Sequence, residues 1–210
     1  MSPSATSVLL VIDVQNDFLP GGALAVPDGD GVIAPILALA ERFEHVILTQ
    51  DWHPAGHVSF ASSHPGQQPF DTIALPDGRG QVLWPDHCVQ GSHGAEIARA
   101  LNIPKAEMIL RKGFRRAIDS YSAFAEADGA TPTGLASYLR ERGFTRVFLA
   151  GLALDFCVSW SALDAKRAGF ETFVIPEATR SIDNGGSLEA AIIAMYKAGV
   201  HLADGLLAQA

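Results

Sequence analysis

The sequence predicts an α/β fold, a three-layer α/β/α sandwich around a central, mainly parallel sheet, with residues 1–210 forming one domain. Three observations lead there: short, almost unbroken apolar runs recur along the chain, helix-period segments separate them, and 210 residues suit a single well-filled core. Near-continuous apolarity marks strands buried on both faces, and such runs stand at Val8–Val14, His45–Thr49, Glu107–Leu110, Arg146–Ala150 and Glu171–Ile175. Helices are expected at Val32–Phe43, Thr133–Arg142, Asp155–Ala168 and Ser187–Ala198. The last is the clearest, because Leu188, Ala191, Ile192, Met195 and Tyr196 repeat at i, i+3, i+4, i+7 and i+8. Alternation of this kind builds βαβ units and hence parallel strands. No repeat, low-complexity block or linker-like break interrupts it.

Charge narrows the partners. With 15 Lys and Arg against 23 Asp and Glu the formal net charge is -8, which opposes nucleic acid and anionic membrane and favours a small-molecule substrate. No apolar run reaches the length of a membrane span, and the start of the chain has neither the basic nor the apolar region of a signal peptide. Two cysteines, Cys88 and Cys157, are too few for a disulfide framework, so a reducing cytoplasm is the expected location. The sequence leaves self-association open.

Ligands of open α/β sheets bind outside the carboxyl ends of the strands. Residues at those ends form a short and chemically pointed set: Asp13 after the first strand, Asp51-Trp-His53 after the second, Lys112 after the third, and Cys157 after the fourth and the turn Gly151-Leu-Ala-Leu. Cys157 falls in the expected first turn of a helix, where the N-terminal dipole favours a thiolate. Most free cysteines merely pack, and Cys88 is read that way. A strand-turn-helix junction favours a nucleophile for Cys157. Asp13 can take the thiol proton, and the Lys112 ammonium can lower the thiol pKa. Taken singly, Asp13 could be a turn residue and Lys112 one of a solvated basic group with Arg111, Arg115 and Arg116. Their convergence on one rim sets them apart.

Asp51, His53 and His87 offer a mixed oxygen and nitrogen set suited to a catalytic divalent ion with open positions. Asp51 and His53 are spaced i, i+2, which points both side chains one way in extended chain. His57 lies four residues beyond His53, but Pro54 and Gly56 between them exclude a helical zinc-protease motif, so His57 is either an extra ligand or a bystander. Zinc, iron and manganese all suit this set.

These residues also carry a resemblance. The run Asp13-Val-Gln-Asn-Asp-Phe18 with Pro20-Gly-Gly-Ala-Leu-Ala-Val26, the segments Asp51-Trp-His53 and Trp84-Pro-Asp-His87-Cys-Val-Gln-Gly91, then Arg111-Lys112-Gly113, Asp119-Ser-Tyr-Ser-Ala-Phe124 and Gly151-Leu-Ala-Leu-Asp-Phe-Cys157-Val stand in order. Together they resemble the nicotinamidases of the isochorismatase-like cysteine hydrolases, over most of the chain.

The resemblance implies a triad of Asp13, Lys112 and Cys157, and a metal, zinc by preference, held by Asp51, His53 and His87 with waters that Ser59 orients. It implies that the metal binds the pyridine nitrogen of nicotinamide, and that Phe18, Trp84 and Leu152 contact the substrate. A cis peptide at Leu152–Ala153 would turn the N–H groups of Ala153 and Cys157 into an oxyanion hole. Pyrazinamide is implied as a second substrate. A sister amidase for N-carbamoyl or ureido substrates would keep the triad but not need the metal set. No nucleotide-binding glycine loop supports a non-enzymatic binding domain. The segment Phe114-Arg115-Arg116 departs from the family pattern, being bulkier and more basic, which bears on substrate access.

Overall fold

In a computed structural model, which describes residues 3–203, the core is one sheet of parallel strands: β1 (Ser7–Ile12), β2 (His45–Asp51), β5 (Met108–Lys112), β6 (Arg146–Leu152), β7 (Glu171–Arg180) and β8 (His201–Leu202). Their spatial order is β5-β2-β1-β6-β7-β8. The chain winds outward from β1 in one direction through β2 and β5, then in the other through β6, β7 and β8. The strand order therefore reverses beside β1, where ligands of such sheets bind. All six residues of β1 are buried, as expected of a strand covered on both faces. Helices α1 (Ile33–Arg42), α2 (Leu135–Glu141), α3 (Ser159–Arg167) and α4 (Ser187–Lys197) complete the layers.

The sheet divides the apolar interior in two. Leu9, Val11, Phe43, Val46, Phe148 and Phe173 belong to one cluster with α1, whereas Val8, Leu10, Ile12, Val147, Leu149 and Val158 belong to the other with α2 and α3. Successive residues of β1 thus feed opposite layers, the period-two rule of a strand. In the first layer Phe148 stacks on Phe173, with ring centroids 4.5 Å apart, and meets Phe43 edge-on.

Several boundaries differ from the sequence-based expectation. β1 stops at Ile12 rather than Val14 because Asp13 takes a left-handed conformation, φ 47°, and turns the chain out of the sheet. β7 runs on to Arg180 because a register shift between Leu149 and Gly151 lets it pair again with β6 beyond Pro176. The helix expected from Asp155 is a single π-helical turn, Leu154–Val158, leading into α3. An antiparallel hairpin of β3 (Thr72–Ala74) and β4 (Gly80–Val82) was not anticipated, nor was the two-residue β8. No helix among the described residues is long and apolar enough to cross a membrane.

Candidate active site

Four adjacent strands deliver the chemistry. Lys112 ends β5, Asp51 ends β2, Asp13 follows β1, and the π turn after β6 carries Cys157. The Lys112 ammonium, fully buried, sits at the centre. Its Nζ lies 2.8 Å from Asp13 Oδ2, 3.2 Å from Asp51 Oδ1, 2.9 Å from the Ser120 carbonyl and 3.4 Å from Cys157 Sγ. Three N–H donors thus face four acceptors, one of which is the thiol sulfur.

Asp13 is held from its other side. Thr49 donates its hydroxyl to Asp13 Oδ1 at 2.6 Å and accepts the Asp13 backbone N–H at 3.1 Å. The second oxygen, Oδ2, meets Lys112 as an ion pair at 2.8 Å and has no well-directed hydrogen bond. Burial pushes the Asp13 carboxyl above its ordinary value against the pull of Lys112, so its conjugate base is a stronger proton acceptor than a solvated aspartate.

Burial also pushes the Cys157 thiol well up, and Lys112 opposes this without cancelling it. Burial therefore outweighs the helix-terminus and ammonium effects expected from the sequence, which leaves removal of the thiol proton to a base such as Asp13. Cys88 sits in the apolar core, where burial raises its thiol too, in keeping with a packing role.

A second constellation adjoins the first. Asp51 Oδ2 lies 2.9 Å from His53 Nε2 and 3.5 Å from His87 Nε2, and the three side chains form a buried group able to hold a metal ion. Each imidazole is oriented by a carbonyl: His53 Nδ1 donates to Gly113 O at 2.9 Å and His87 Nδ1 to Pro85 O at 2.8 Å. When neutral, both rings then present an Nε2 lone pair toward the same carboxylate oxygen, the tautomer a divalent cation needs. The donor set fits such an ion. Burial alone would raise the Asp51 carboxyl, but His53 and Lys112 together hold it well below its ordinary value. It stays anionic and ready to ligate.

His57 stacks on His53, ring centroids 4.1 Å apart. Both its nitrogens are engaged: Nε2 donates to Ile118 O at 3.2 Å, and Nδ1 accepts the Ser59 hydroxyl at 2.7 Å. Burial and the neighbouring His53 push its pKa down to about 4, which keeps it neutral. His57 also groups with His53 and Asp119, but the Asp119 oxygens accept from Gln81 Nε2 and the Ser120 N–H.

Beside the thiol and the metal group lies a narrow cleft lined by Phe18, Trp84, Tyr121, Ala153, Phe156 and Ile182 among others, with Asp51, His53, His87 and Cys157 in its wall. Phe18 and Trp84, expected as substrate contacts, line this cleft. Leu152 does not: its side chain is fully buried in the core, because the chain is still in β6 there, and Ala153 takes its place in the lining. The Leu152–Ala153 peptide is cis. Phe114, Arg115 and Arg116 do not line the cleft; Phe114 is exposed, Arg115 pairs with Glu126, and Arg116 donates to Gly56 O.

Other participants escaped the sequence reading. Gln15 clamps the end of β2, accepting the Asp51 N–H at 2.7 Å and donating to Asp51 O at 2.8 Å. Tyr121 accepts a hydrogen bond from Trp84 Nε1 at 3.0 Å, which fixes two cleft walls together. Thr49 had a legible signal, since it stands two residues before Asp51 on the same face of β2. Phe156 and Ile182 had none, being apolar residues brought in by turns.

Comparison with known proteins gives the chain its family. The isochorismatase domain model matches residues 7–205. A nicotinamidase of Acinetobacter baylyi is 54% identical over 200 residues, covering 95% of this chain and 93% of that protein. The solved structure of a nicotinamidase/pyrazinamidase from Acinetobacter baumanii superimposes with a TM-score of 0.94 at 56% identity, covering 96% of this chain and 97% of that one. The pyrazinamidase of Pyrococcus horikoshii, solved in complex with zinc, is 32% identical with a TM-score of 0.78, covering 95% and 99%. The chain is a member of the isochorismatase-domain family.

Proposed function

We propose that this chain, acting as a single domain, is a nicotinamidase that converts nicotinamide and water to nicotinate and ammonia, and that it deamidates pyrazinamide as well. The observation that carries the reading is the joint placement of the Asp13 carboxylate and the Cys157 thiol around the Lys112 ammonium, beside an Asp/His/His group and an apolar cleft. A sister amidase for ureido substrates would have no use for that second group.

Asp13 takes the Cys157 proton as sulfur attacks the amide carbon, and Lys112 stays charged beside both, since Asp13 and Asp51 hold its pKa well up against burial. The tetrahedral oxyanion is assigned to the backbone N–H groups of Ala153 and Cys157. Asp13 returns its proton to the nitrogen, ammonia leaves, and the acyl group remains as a thioester. Asp13 next deprotonates a water that attacks the thioester; nicotinate departs and sulfur recovers its proton.

Phe18, Trp84 and Phe156 pack around the aromatic ring. Asp51, His53 and His87 would hold a divalent ion, zinc by preference, with Ser59 near enough to order water there; the ion would supply a Lewis acid for the pyridine nitrogen. A free thiol nucleophile suits a reducing cytoplasm, where nicotinate re-enters NAD synthesis.

The test is ammonia release from nicotinamide by wild type and Cys157→Ala, each with and without chelation and metal restoration. Turnover lost in Cys157→Ala, lowered by chelation and recovered on restoration is the expected result. A metal-loaded wild type that releases no ammonia overturns the reading.

A further inference from the structure

α4 turns Ala191 and Met195 inward and leaves Glu189, Ala190, Ile192, Ile193, Tyr196 and Lys197 facing solvent. Tyr196 is 83% exposed and Ile193 45%. The apolar surface continues across a groove to Leu202 on β8, the edge strand of the sheet, and on the other flank reaches the half-exposed Trp160 through a depression shared with Ala190 and Ala194. Isolated exposed apolar residues need no explanation, but a continuous patch of Ile, Tyr, Trp and Leu marks a contact surface.

The pattern on this face selects the partner. Glu189, Ile193 and Lys197 are spaced i, i+4, i+8 and form one stripe, with opposite charges four residues to either side of Ile193. In a two-fold pair, residue i meets j while j meets i. An antiparallel α4 pair with its axis at Ile193 places Glu189 against the partner copy's Lys197, twice over. It also sets the large Tyr196 opposite the small Ala190, so the bulkiest side chain of the face meets a small one. A parallel pair would face Glu with Glu and Lys with Lys. We infer that two copies of this chain associate through α4 in an antiparallel dimer centred on Ile193.

The test is sedimentation equilibrium of the full chain over a range of concentrations, with circular dichroism and nicotinamide turnover confirming that each variant is folded. Wild type should reach twice the chain mass, and Ile193→Asp should be monomeric with its fold and turnover retained. Glu189→Lys and Lys197→Glu should each weaken the dimer by about tenfold, because symmetry turns two attractions into two repulsions, while the double swap restores it. A wild type that stays monomeric overturns the inference, and one that dimerises only when cut after Ala203 shows that the chain's own tail occupies the face instead. A dimer indifferent to Ile193→Asp puts the interface elsewhere. A double swap that fails to rescue overturns the antiparallel register.

Discussion

Thr49 shows how one side chain can set the acid limit of the reaction. Its hydroxyl bond to Asp13 Oδ1 stabilises the carboxylate, while burial works in the opposite direction and prevails. A base with a raised pKa is protonated, and lost, as pH falls through that raised value, so the acid limb of kcat/KM lies above the ordinary aspartate range of about 3.9. Thr49→Val removes the hydroxyl, conserves shape and raises Asp13 further. The acid limb should move to higher pH than in wild type, with turnover at the plateau little changed, as a pH series of kcat/KM will measure. An unmoved limb would mean that Asp13 is not the titrating base. Asp13, Lys112 and Cys157 were legible in the sequence because each polar residue follows an apolar run. The burial that pushes the thiol up was not, since it is created by residues from distant segments.

At the scale of elements, the connection after β5 is shaped by what it must avoid. Gly113 has φ +66° and passes so close to the metal group that a Cβ there would lie 2.5 Å from His53 Cε1, 2.7 Å from His53 Nδ1 and 2.9 Å from Asp51 Oδ1. Its carbonyl is also the group that orients His53. Gly113→Ala combines a strained backbone with a clash on buried, oriented ligands, so it should weaken metal affinity by about 10–100-fold, as loss of an orienting partner does. Metal content after dialysis against a buffered free-ion series measures it; full retention would show that His53 has room to shift. The sequence displayed Arg111-Lys112-Gly113 plainly, yet spacing alone does not reveal which side chain a glycine must clear. In the same way the apolar runs located the strands, while the end of β1 at Asp13 and the π turn before α3 depend on left-handed and tertiary contacts that propensity does not carry.

For the molecule as a whole, the metal group is attached to a sheet that does not depend on it. Six parallel strands with apolar layers on both faces hold the fold, and each ligand is fixed by protein: Asp51 by Gln15 and Lys112, His53 by Gly113 O, His87 by Pro85 O. Small domains that fold around a metal unfold when it is removed. Here removal leaves Asp51 compensated by a buried ammonium and by His53, whose pKa is raised by that carboxylate against burial. Chelation should therefore lower ammonia release while leaving far-ultraviolet circular dichroism and cooperative unfolding intact. Stability should fall only by linkage, about 2.7 kcal/mol relative to a free ion at a hundred times its Kd. Thermal melts of chelated and reloaded protein, with turnover measured on the same samples, decide the matter. Reloading that restores turnover without refolding supports a catalytic ion on a preformed scaffold. Loss of the cooperative transition on chelation would instead make the ion part of the core.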